Sequence, residues 1–361
     1  MRVAVHAGQL LQPVPGGIGR YVHALLDHLP DADVDVTAFA AGARPADVAP
    51  KAPWIDLGWP HGSVRYELWH RTGRPRVRMD TEVVLATSLA VPPVRDVPLA
   101  VTVHDVAFLR VPESTTKRGI AFHAKGLKVA RRRAAMVIAP SDFTRAELVA
   151  EGFAPEQIEV VRFGVDPPPP RADAHSDAVV ARVGVRHPYV LTVGTVEPRK
   201  DLPTLVRAVE HARRTHPDLT LVIVGPAGWG DVGDIDRPFV QRLGRQPWDT
   251  VDALYRRADA FCCASLYEGF GLPALEAMAR GAPTISTTGS SMEEFVRDAG
   301  LLVAPRDVNA CAAAIERILG DDALRVELAT AGTARAAELT WERTVAGHTR
   351  LFEQLVAQTR P

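Results

Sequence analysis

The sequence predicts an α/β protein made of two Rossmann-like domains facing each other across a cleft. Three observations carry the prediction. Short β-branched runs alternate with amphipathic helical patterns in both halves, a run of prolines breaks that alternation near the middle, and 361 residues suit two domains at roughly 100–200 residues each.

In the first half the expected strands are Val3 to Ala7, Val34 to Phe39, Val83 to Ala86, Leu99 to His104, Met136 to Ala139 and Ile158 to Val161. Helices intervene; in the first of them Ile18, Val22, Leu25 and Leu29 recur at helical spacing as one buried stripe. Pro167-Pro168-Pro169-Pro170 and the polar stretch Arg171 to Asp177 are read as unable to continue either a ladder or a helix, because proline lacks the donor and fixes its own φ. The expected domains are therefore 1–166 and 187–340 with a linker over 167–186, and a last helix over 341–361 that packs back on the first domain. The second half restarts with strands Tyr189 to Val193, Leu219 to Val224, Ala260 to Ala264, Thr284 to Ser286 and Leu301 to Val303, each short and nearly all apolar, as strands covered on both faces should be. In open parallel sheets ligands bind at the carboxyl ends of the strands, so chemistry is sought there.

Composition narrows the function classes. Lys and Arg number 42 against 43 for Asp and Glu, a net charge of -1, so no overall positive field gathers nucleic acid and any anion must be held locally. Three cysteines, two of them adjacent at Cys262 and Cys263 in an apolar run, supply neither a disulfide framework nor metal-ligand spacing, and a reduced, cytoplasmic chain is expected. The N-terminus passes directly into the alternation Arg2-Val3-Ala4-Val5-His6 with no charged leader, and no stretch reaches the roughly 20 apolar residues of a membrane span. Asp31-Ala32-Asp33, Asp33-Val34-Asp35 and Asp234-Ile235-Asp236 do not follow strands and are read as turn chemistry, so no metal is expected.

The densest chemical signal is Ser265-Leu266-Tyr267-Glu268-Gly269-Phe270-Gly271-Leu272-Pro273-Ala274-Leu275-Glu276, directly after a strand and leading into a helix. Gly269 and Gly271 let backbone approach a ligand, Pro273 suits a first helical turn, and the carboxylates of Glu268 and Glu276 can each accept hydroxyl donors of a sugar or ribose. A second cluster, Gly194-Thr195-Val196-Glu197-Pro198-Arg199-Lys200-Asp201, puts two adjacent cations at another strand end beside a helix N-terminus, which suits a diphosphate. In the first half Pro15-Gly16-Gly17-Ile18-Gly19-Arg20-Tyr21 opens the first helix; the amides of Gly16 and Gly17 can meet a diphosphate or acceptor, and a plain structural turn fits equally well. His104-Asp105 ends a strand, where a histidine can polarise a hydroxyl or simply cap the strand. The basic stretch Lys125 to Arg133 is read first as a solvated face and second as a site of contact with anionic membrane at the inner face of the bilayer.

These residues together resemble glycosyltransferase family 4, retaining enzymes of the GT-B fold. The likeness runs over nearly the whole chain, through Gly16 to Tyr21, His104-Asp105, Ser141-Asp142-Phe143-Thr144, Gly194 to Lys200, and the Glu-x7-Glu element Glu268 to Glu276 with Gly-Phe-Gly-Leu-Pro inside it. The resemblance implies an acceptor-binding first domain and a second domain that binds a nucleotide-diphosphate sugar. By it, Arg199 and Lys200 hold the diphosphate, Glu276 binds the ribose, Glu268 with the backbone of Phe270, Gly271 and Leu272 meets the transferred sugar, His104 contacts that sugar near the acceptor, Gly194 belongs to the donor loop, and Gly16-Gly17 close on the diphosphate. It implies transfer of a hexose, first mannose from GDP-mannose, to a glycan, glycolipid or other acceptor hydroxyl, with retention by front-face attack and with neither metal nor separate cofactor. The rival readings are a sugar-nucleotide epimerase of the same architecture and a non-catalytic sugar-nucleotide-binding protein. A dehydrogenase is excluded, because the first glycine loop lacks the dinucleotide spacing and no acidic residue closes a second strand.

Overall fold

The computed structural model describes residues 1–46, 48 and 51–359. The chain divides into two compact units: unit 1 comprises the described residues of Met1–Leu109, Thr116–Gly164 and Trp341–Pro361, and unit 2 comprises Arg110–Thr115 and Val165–Thr340.

Unit 1 contains strands β1 (Arg2–His6), β2 (Asp35–Ala40), β3 (Trp54–Asp56), β4 (Val83–Ala86), β5 (Leu99–Thr102), β6 (Met136–Ala139) and β7 (Ile158–Val160). Its helices are α1 (Gly16–His28), α2 (Gly62–Thr72), α3 (Ala107–Arg110, whose last residue falls in unit 2), α4 (Lys117–Arg133) and α5 (Asp142–Ala150). Among the described residues the sheet has the order β3-β2-β1-β4-β5-β6-β7, parallel throughout. Unit 2 contains β8 (Tyr189–Val193), β9 (Thr220–Val224), β10 (Val240–Gly244), β11 (Ala260–Cys263), β12 (Thr284–Thr287) and β13 (Leu301–Val303) in the order β10-β9-β8-β11-β12-β13, again parallel. Its helices are α6 (Asp173–Arg182), α7 (Leu202–Ala212), α8 (Trp248–Arg257), α9 (Leu272–Ala279), α10 (Glu293–Val296), α11 (Val308–Gly320) and α12 (Asp322–Ala337), and the last helix, α13 (Trp341–Thr359), belongs to unit 1. The expected span 341–361 ends on residues 360 and 361, which lie outside the described residues.

Each sheet reverses direction of growth once, at β1/β4 in unit 1 and at β8/β11 in unit 2. Loops leaving two such neighbours diverge to opposite faces and leave a crevice at the strand ends, which is where an open α/β sheet receives its ligand.

The helices form for local reasons and are held by packing. On α7, Leu202, Leu205, Val206 and Val209 recur at i, i+3, i+4 and i+7, are all buried, and join Leu221 and Ile223 of β9 and Ile315 and Ile318 of α11 in one core. Burying each such side chain contributes about 1.5–3 kcal/mol. Side chains satisfy the first amides of several helices: Thr116 accepts from Gly119 at 3.0 Å, Ser141 from Thr144 at 3.0 Å, and Asp307 from Ala310 at 2.9 Å. Helix α13 is tied to α1 by Tyr21 Oη, which lies 2.7 Å from both His348 Nε2 and Thr102 Oγ1.

The structure corrects three points. Strands β3 and β10, each at one edge of its sheet, were not expected. With one side unpaired and their faces only partly covered, neither Trp54–Asp56 nor Val240–Gly244 needs the continuous apolar run that marks a central strand. Within the stretch 167–186 assigned to a linker, α6 starts at Asp173. The prolines forbid helix only through their own residues and the one before, and Ser176, Val179 and Val180 form a buried stripe at helical spacing just beyond them. Arg257 Nε meets Asp177 at 2.6 Å and secures that helix beside α8. The strand expected to reach His104 ends at Thr102, although Val103 still donates to Ile138 at 2.9 Å.

Candidate functional site

At the β8/β11 switch point of unit 2 two loops are stitched together. Leu266, after β11, donates its amide to the carbonyl of Arg199, after β8, at 2.8 Å, and Arg199 Nη1 donates back to the carbonyl of Tyr267 at 2.8 Å. This places Glu268 Oε1 at 2.8 Å from Arg199 Nη1 and 2.6 Å from Lys200 Nζ. Glu197, 4% exposed, completes the group: its Oε1 accepts from Arg199 Nε at 3.0 Å and Nη2 at 2.7 Å. Two cations and two carboxylates therefore balance one another in a buried place where an unpaired charge would be costly. Burial alone would push the Glu268 carboxyl up, but the Arg199 and Lys200 charges and their hydrogen bonds outweigh it and hold the pKa down to about 2.

Two glycines make this arrangement possible. A Cβ on Gly194 would lie 3.1 Å from Lys200 Cε, so the missing side chain is the space in which the lysine lies. Gly271 has φ +100, and a Cβ there would lie 2.5 Å from Met292 Cγ; it forms the N-cap of α9, and no side chain caps the helix. Pro273 sits in the first turn and needs no amide partner, so the amide-rich end of α9 begins directly after the Glu268 loop. Ser291 Oγ donates to the Glu268 carbonyl at 2.8 Å and fixes the loop from below, while Phe270 packs on Phe295 with ring centroids 5.4 Å apart. Leu272 is buried in the first turn of α9.

Glu276, one turn further along α9, is 3% exposed, and its Oε2 accepts from Tyr255 Oη of α8 at 3.0 Å. The neighbouring Arg280 donates to Asp252 at 2.8 Å, with both side chains buried, and the Trp248 ring lies over its guanidinium at 5.0 Å. The structure thus brings Gly194, Arg199, Lys200 and Glu268 into one cluster and gives Glu276 a separate partner.

His104, Gly16 and Gly17 belong to unit 1. His104 Nε2 lies 2.8 Å from the carbonyl of Thr87 at the end of β4, and Thr87 Oγ1 donates to the carbonyl of His6 at the end of β1 at 2.6 Å. A carbonyl only accepts, so Nε2 carries the proton and Nδ1 keeps its lone pair. The ring is held edge-on to Tyr21 at 5.3 Å and beside Phe163 at 5.4 Å, and burial lowers its pKa against the weaker opposing effects of Thr87 and Asp105. The imidazole is therefore neutral near pH 7. Asp105 accepts from the Ala107 amide at 2.9 Å and starts the short helix α3. Gly16 and Gly17 form the exposed first residues of α1, and Gly16 has φ +61.

Sequence reasoning did not assign Glu197, Tyr255 or Ser291. Glu197 stands inside a segment already singled out, two residues from the arginine it binds; Tyr255 and Ser291 meet their partners from 21 and 23 residues away, a pairing that only the fold supplies. Among the described residues no three His, Cys, Asp or Glu side chains group as a metal set would, and no helix is long and apolar enough to cross a membrane.

Residues 15–169 match the family model Glycosyltransferase Family 4, and residues 180–335 match the model Glycosyl transferases group 1. The O-antigen chain mannosyltransferase B of Escherichia coli is 33% identical over 258 residues, covering 67% of this chain and 66% of that protein. The D-inositol 3-phosphate glycosyltransferase of Salinispora arenicola is 34% identical over 235 residues, covering 57% and 52%. The matched stretches thus span two thirds or less of these relatives. Among solved structures, sucrose-phosphate synthase from Thermosynechococcus elongatus superposes with a TM-score of 0.75 at 22% identity, over 99% of this chain and 100% of that one. Anabaena Alr3699/HepE in complex with UDP and glucose gives 0.74 at 20% identity, again over 99% and 100%.

Proposed function

The chain belongs to glycosyltransferase family 4 and has the GT-B fold, and on that footing we propose that it transfers a hexose from a nucleotide-diphosphate sugar to an acceptor hydroxyl with retention of configuration. The observation that carries the reading is the cluster of Arg199, Lys200 and Glu268 at the β8/β11 strand ends, beside the N-terminus of α9. As the glycosidic bond breaks, negative charge grows on the leaving phosphate. Arg199, Lys200 and the first amides of α9 stabilise that charge without reorganising, and fixed donors of this kind are usually an enzyme's strongest means of lowering a barrier. Glu268 keeps both cations in place before the donor arrives, then shares them with the diphosphate while its carboxylate and the backbone of Phe270, Gly271 and Leu272 meet the sugar. Glu276 takes the ribose hydroxyls, and Gly194 gives Lys200 its room.

In unit 1 the neutral His104 offers Nδ1 as an acceptor to a sugar hydroxyl, and Gly16 and Gly17 present amides to the diphosphate. The acceptor oxygen attacks from the face the diphosphate leaves, and a phosphate oxygen takes its proton, so neither a metal ion nor a further cofactor takes part. The mannosyltransferase relative favours mannose as the sugar, for which GDP-mannose is the first choice of donor, and the UDP and glucose of the Anabaena protein make UDP-glucose the second choice. The acceptor is a glycan or lipid-linked hydroxyl, and the site of action is the cytoplasm, at the inner face of the membrane. Neither the Escherichia coli nor the Salinispora relative is an epimerase.

Thermal-shift titration with GDP-, UDP-, ADP- and dTDP-linked sugars tests this, because a ligand bound only by the folded state raises its stability. One donor class should raise Tm in the wild type and much less in Glu276→Ala, and acceptor-dependent release of its nucleoside diphosphate should accompany it. A donor consumed equally well without any acceptor would instead support the epimerase reading, and no shift with any donor would remove the site.

A further inference from the structure

One stretch of chain changes company. Arg110–Thr115 run from the end of α3 towards α4, whose other residues belong to unit 1, yet this stretch packs with unit 2. Its course is stiff: Ser114 returns both its amide and its hydroxyl to the carbonyl of Val111, at 2.9 and 2.6 Å, and Thr115 donates to that of Pro112 at 3.2 Å. The resulting turn, Pro112–Ser114, lies against Pro198–Lys200, the turn that carries both cations of the cluster. At its other end the stretch continues from α3, the helix started by Asp105 directly after His104.

The loop after β9, residues 225–230, holds this strap. It is laced to the segment after β8: Val196 donates to the Pro226 carbonyl at 3.0 Å, and Gly228 donates to the Val196 carbonyl at 3.0 Å. A Cβ on Gly228 would lie 2.6 Å from Val196 O, and one on Gly230, which has φ +77, 2.8 Å from Pro198 Cγ, so glycine is required for so close a passage. Trp229 stands between these two glycines. Its ring is 47% exposed, unlike a core residue, while Nε1 donates to the Ser114 carbonyl at 2.7 Å. The N–H is thus the part of the indole that the fold uses. A second tie, Arg306 to Glu113 at 3.7 Å, joins side chains 67% and 59% exposed, and such pairs hold little. The cation turn is secured independently of the strap, by Glu197, Glu268 and the Leu266 amide. Loosening the indole clasp therefore frees the strap and leaves Arg199 and Lys200 where they are.

We propose that Trp229 is a positioning residue: by holding the Ser114 carbonyl it ties the segment that runs on from His104 to the turn carrying Arg199 and Lys200, and so sets the imidazole for the sugar of the donor that those cations hold. The inference rests on the transferase reading and deepens it, because it gives the loop after β9 a part in sugar binding without any contact to the donor.

The test is calorimetric titration of the full chain with GDP-mannose and UDP-glucose, and with GDP and UDP alone. Trp229→Phe keeps the ring and removes the N–H. Its Kd for the sugar nucleotide that the wild type binds should rise about three- to tenfold, the net contribution of one hydrogen bond, while Kd for the matching nucleoside diphosphate stays within about twofold. In a His104→Ala background the same change should add less than about twofold, because two residues that act through one contact are not additive. Should Trp229→Phe melt lower, the ratio of the two affinities on one sample is read, since it does not depend on the folded fraction. Equal weakening of sugar nucleotide and bare diphosphate would overturn the proposal, because the indole would then be shaping the cation turn. Unchanged affinity for the sugar nucleotide, or a full loss that persists without His104, would overturn it as well. A wild type that binds no sugar nucleotide would remove the transferase reading and the clasp with it, whereas each of the other outcomes leaves that reading standing.

Discussion

Units 1 and 2 grow their sheets in the same order from their first strand, yet the two switch points are furnished differently. At the ends of β8 and β11 four charged side chains meet: Arg199 and Lys200 face Glu197 and Glu268. At the ends of β1 and β4 stand His6, Thr87 and, from β5, His104, joined through backbone carbonyls and walled by Tyr21, Phe163, Tyr66 and Trp69. One crevice is organised by charges that can be re-shared with an incoming anion. The other is organised by neutral hydrogen bonds that orient groups without changing their charge. The same topology is therefore furnished in two different ways, and the difference lies in the residues at and around the strand ends.

The largest expected effect of this contrast between the units is on acid stability. Burial lowers the pKa of His6 to about 3, and burial, opposed in part by backbone hydrogen bonds, lowers His70 and His348 to about 4, all below the ordinary 6.5. The unfolded chain takes up these protons first. The stability gained by keeping the rings neutral is therefore complete above pH 6.5 and is lost as pH falls towards the folded values. At pH 4.5 the loss is roughly 2–3 kcal/mol for each histidine. Glu268 in unit 2 has its folded pKa depressed from 4.5 to about 2, so its contribution of about 3 kcal/mol is complete above pH 4.5 and is lost only below it. Hydrogen exchange at pH 4.5 should find peptides from β1 and β4 deprotected while those from β8 and β11 stay protected. Simultaneous loss in both would break the contrast.

Next comes catalysis. On the proposed mechanism Lys200→Ala removes a donor to the leaving phosphate and should lower kcat about 10²–10³-fold, roughly 3–4 kcal/mol of transition-state stabilisation. His104→Ala removes a neutral contact and should cost only about tenfold, mostly in KM for the donor. Steady-state kinetics on the two variants compares the switch points directly. Equal losses would mean that the neutral crevice is as much an electrostatic device as the charged one.

The charged crevice was also the more legible of the two in the sequence. Glycines, cations and acids stand there in short segments between an apolar run and a helical pattern, so Gly194, Arg199, Lys200, Glu268 and Glu276 stand out as candidates by their place, while the roles expected of them come from the family resemblance. The meeting of Arg199 and Lys200 with Glu268, which follows Lys200 by 68 residues, depends on β8 and β11 being neighbours, which comes from Rossmann order and not from either segment. In unit 1 the signal was thin, because His6, Thr87, Tyr21 and Phe163 are residue types that any core uses. Their partnership with His104 exists only in three dimensions. The edge strands β3 and β10 carry no clear signal for lack of two covered faces, and α6 is masked by the prolines just before its Ser176, Val179 and Val180 stripe.

Between these effects lies the tyrosine behind Glu276. Tyr255→Phe deletes the hydrogen bond to Oε2 but leaves the buried ring, and the loss of about 1–3 kcal/mol should appear as a donor KM raised about five- to hundredfold with kcat nearly unchanged. A kcat falling in parallel would show instead that Tyr255 acts on the reacting centre.

The smallest effect belongs to the corresponding tyrosine of unit 1. Tyr21 Oη lies between Thr102 and His348, both neutral partners, and its ring stacks on Phe163 at 4.6 Å. Tyr21→Phe keeps the stack and the edge contact to His104 while removing two neutral hydrogen bonds, so it should cost about 1–3 kcal/mol of stability with donor kinetics unchanged. Tyr21→Ala removes the wall as well and releases the imidazole, and there KM should rise towards the value of His104→Ala. If Tyr21→Phe alone already matched His104→Ala, the hydroxyl and its tie to α13 would have to control the imidazole, and the neutral crevice would be a coupled network instead of a packed wall. That single comparison decides whether unit 1 orients its histidine by shape or by hydrogen bonds.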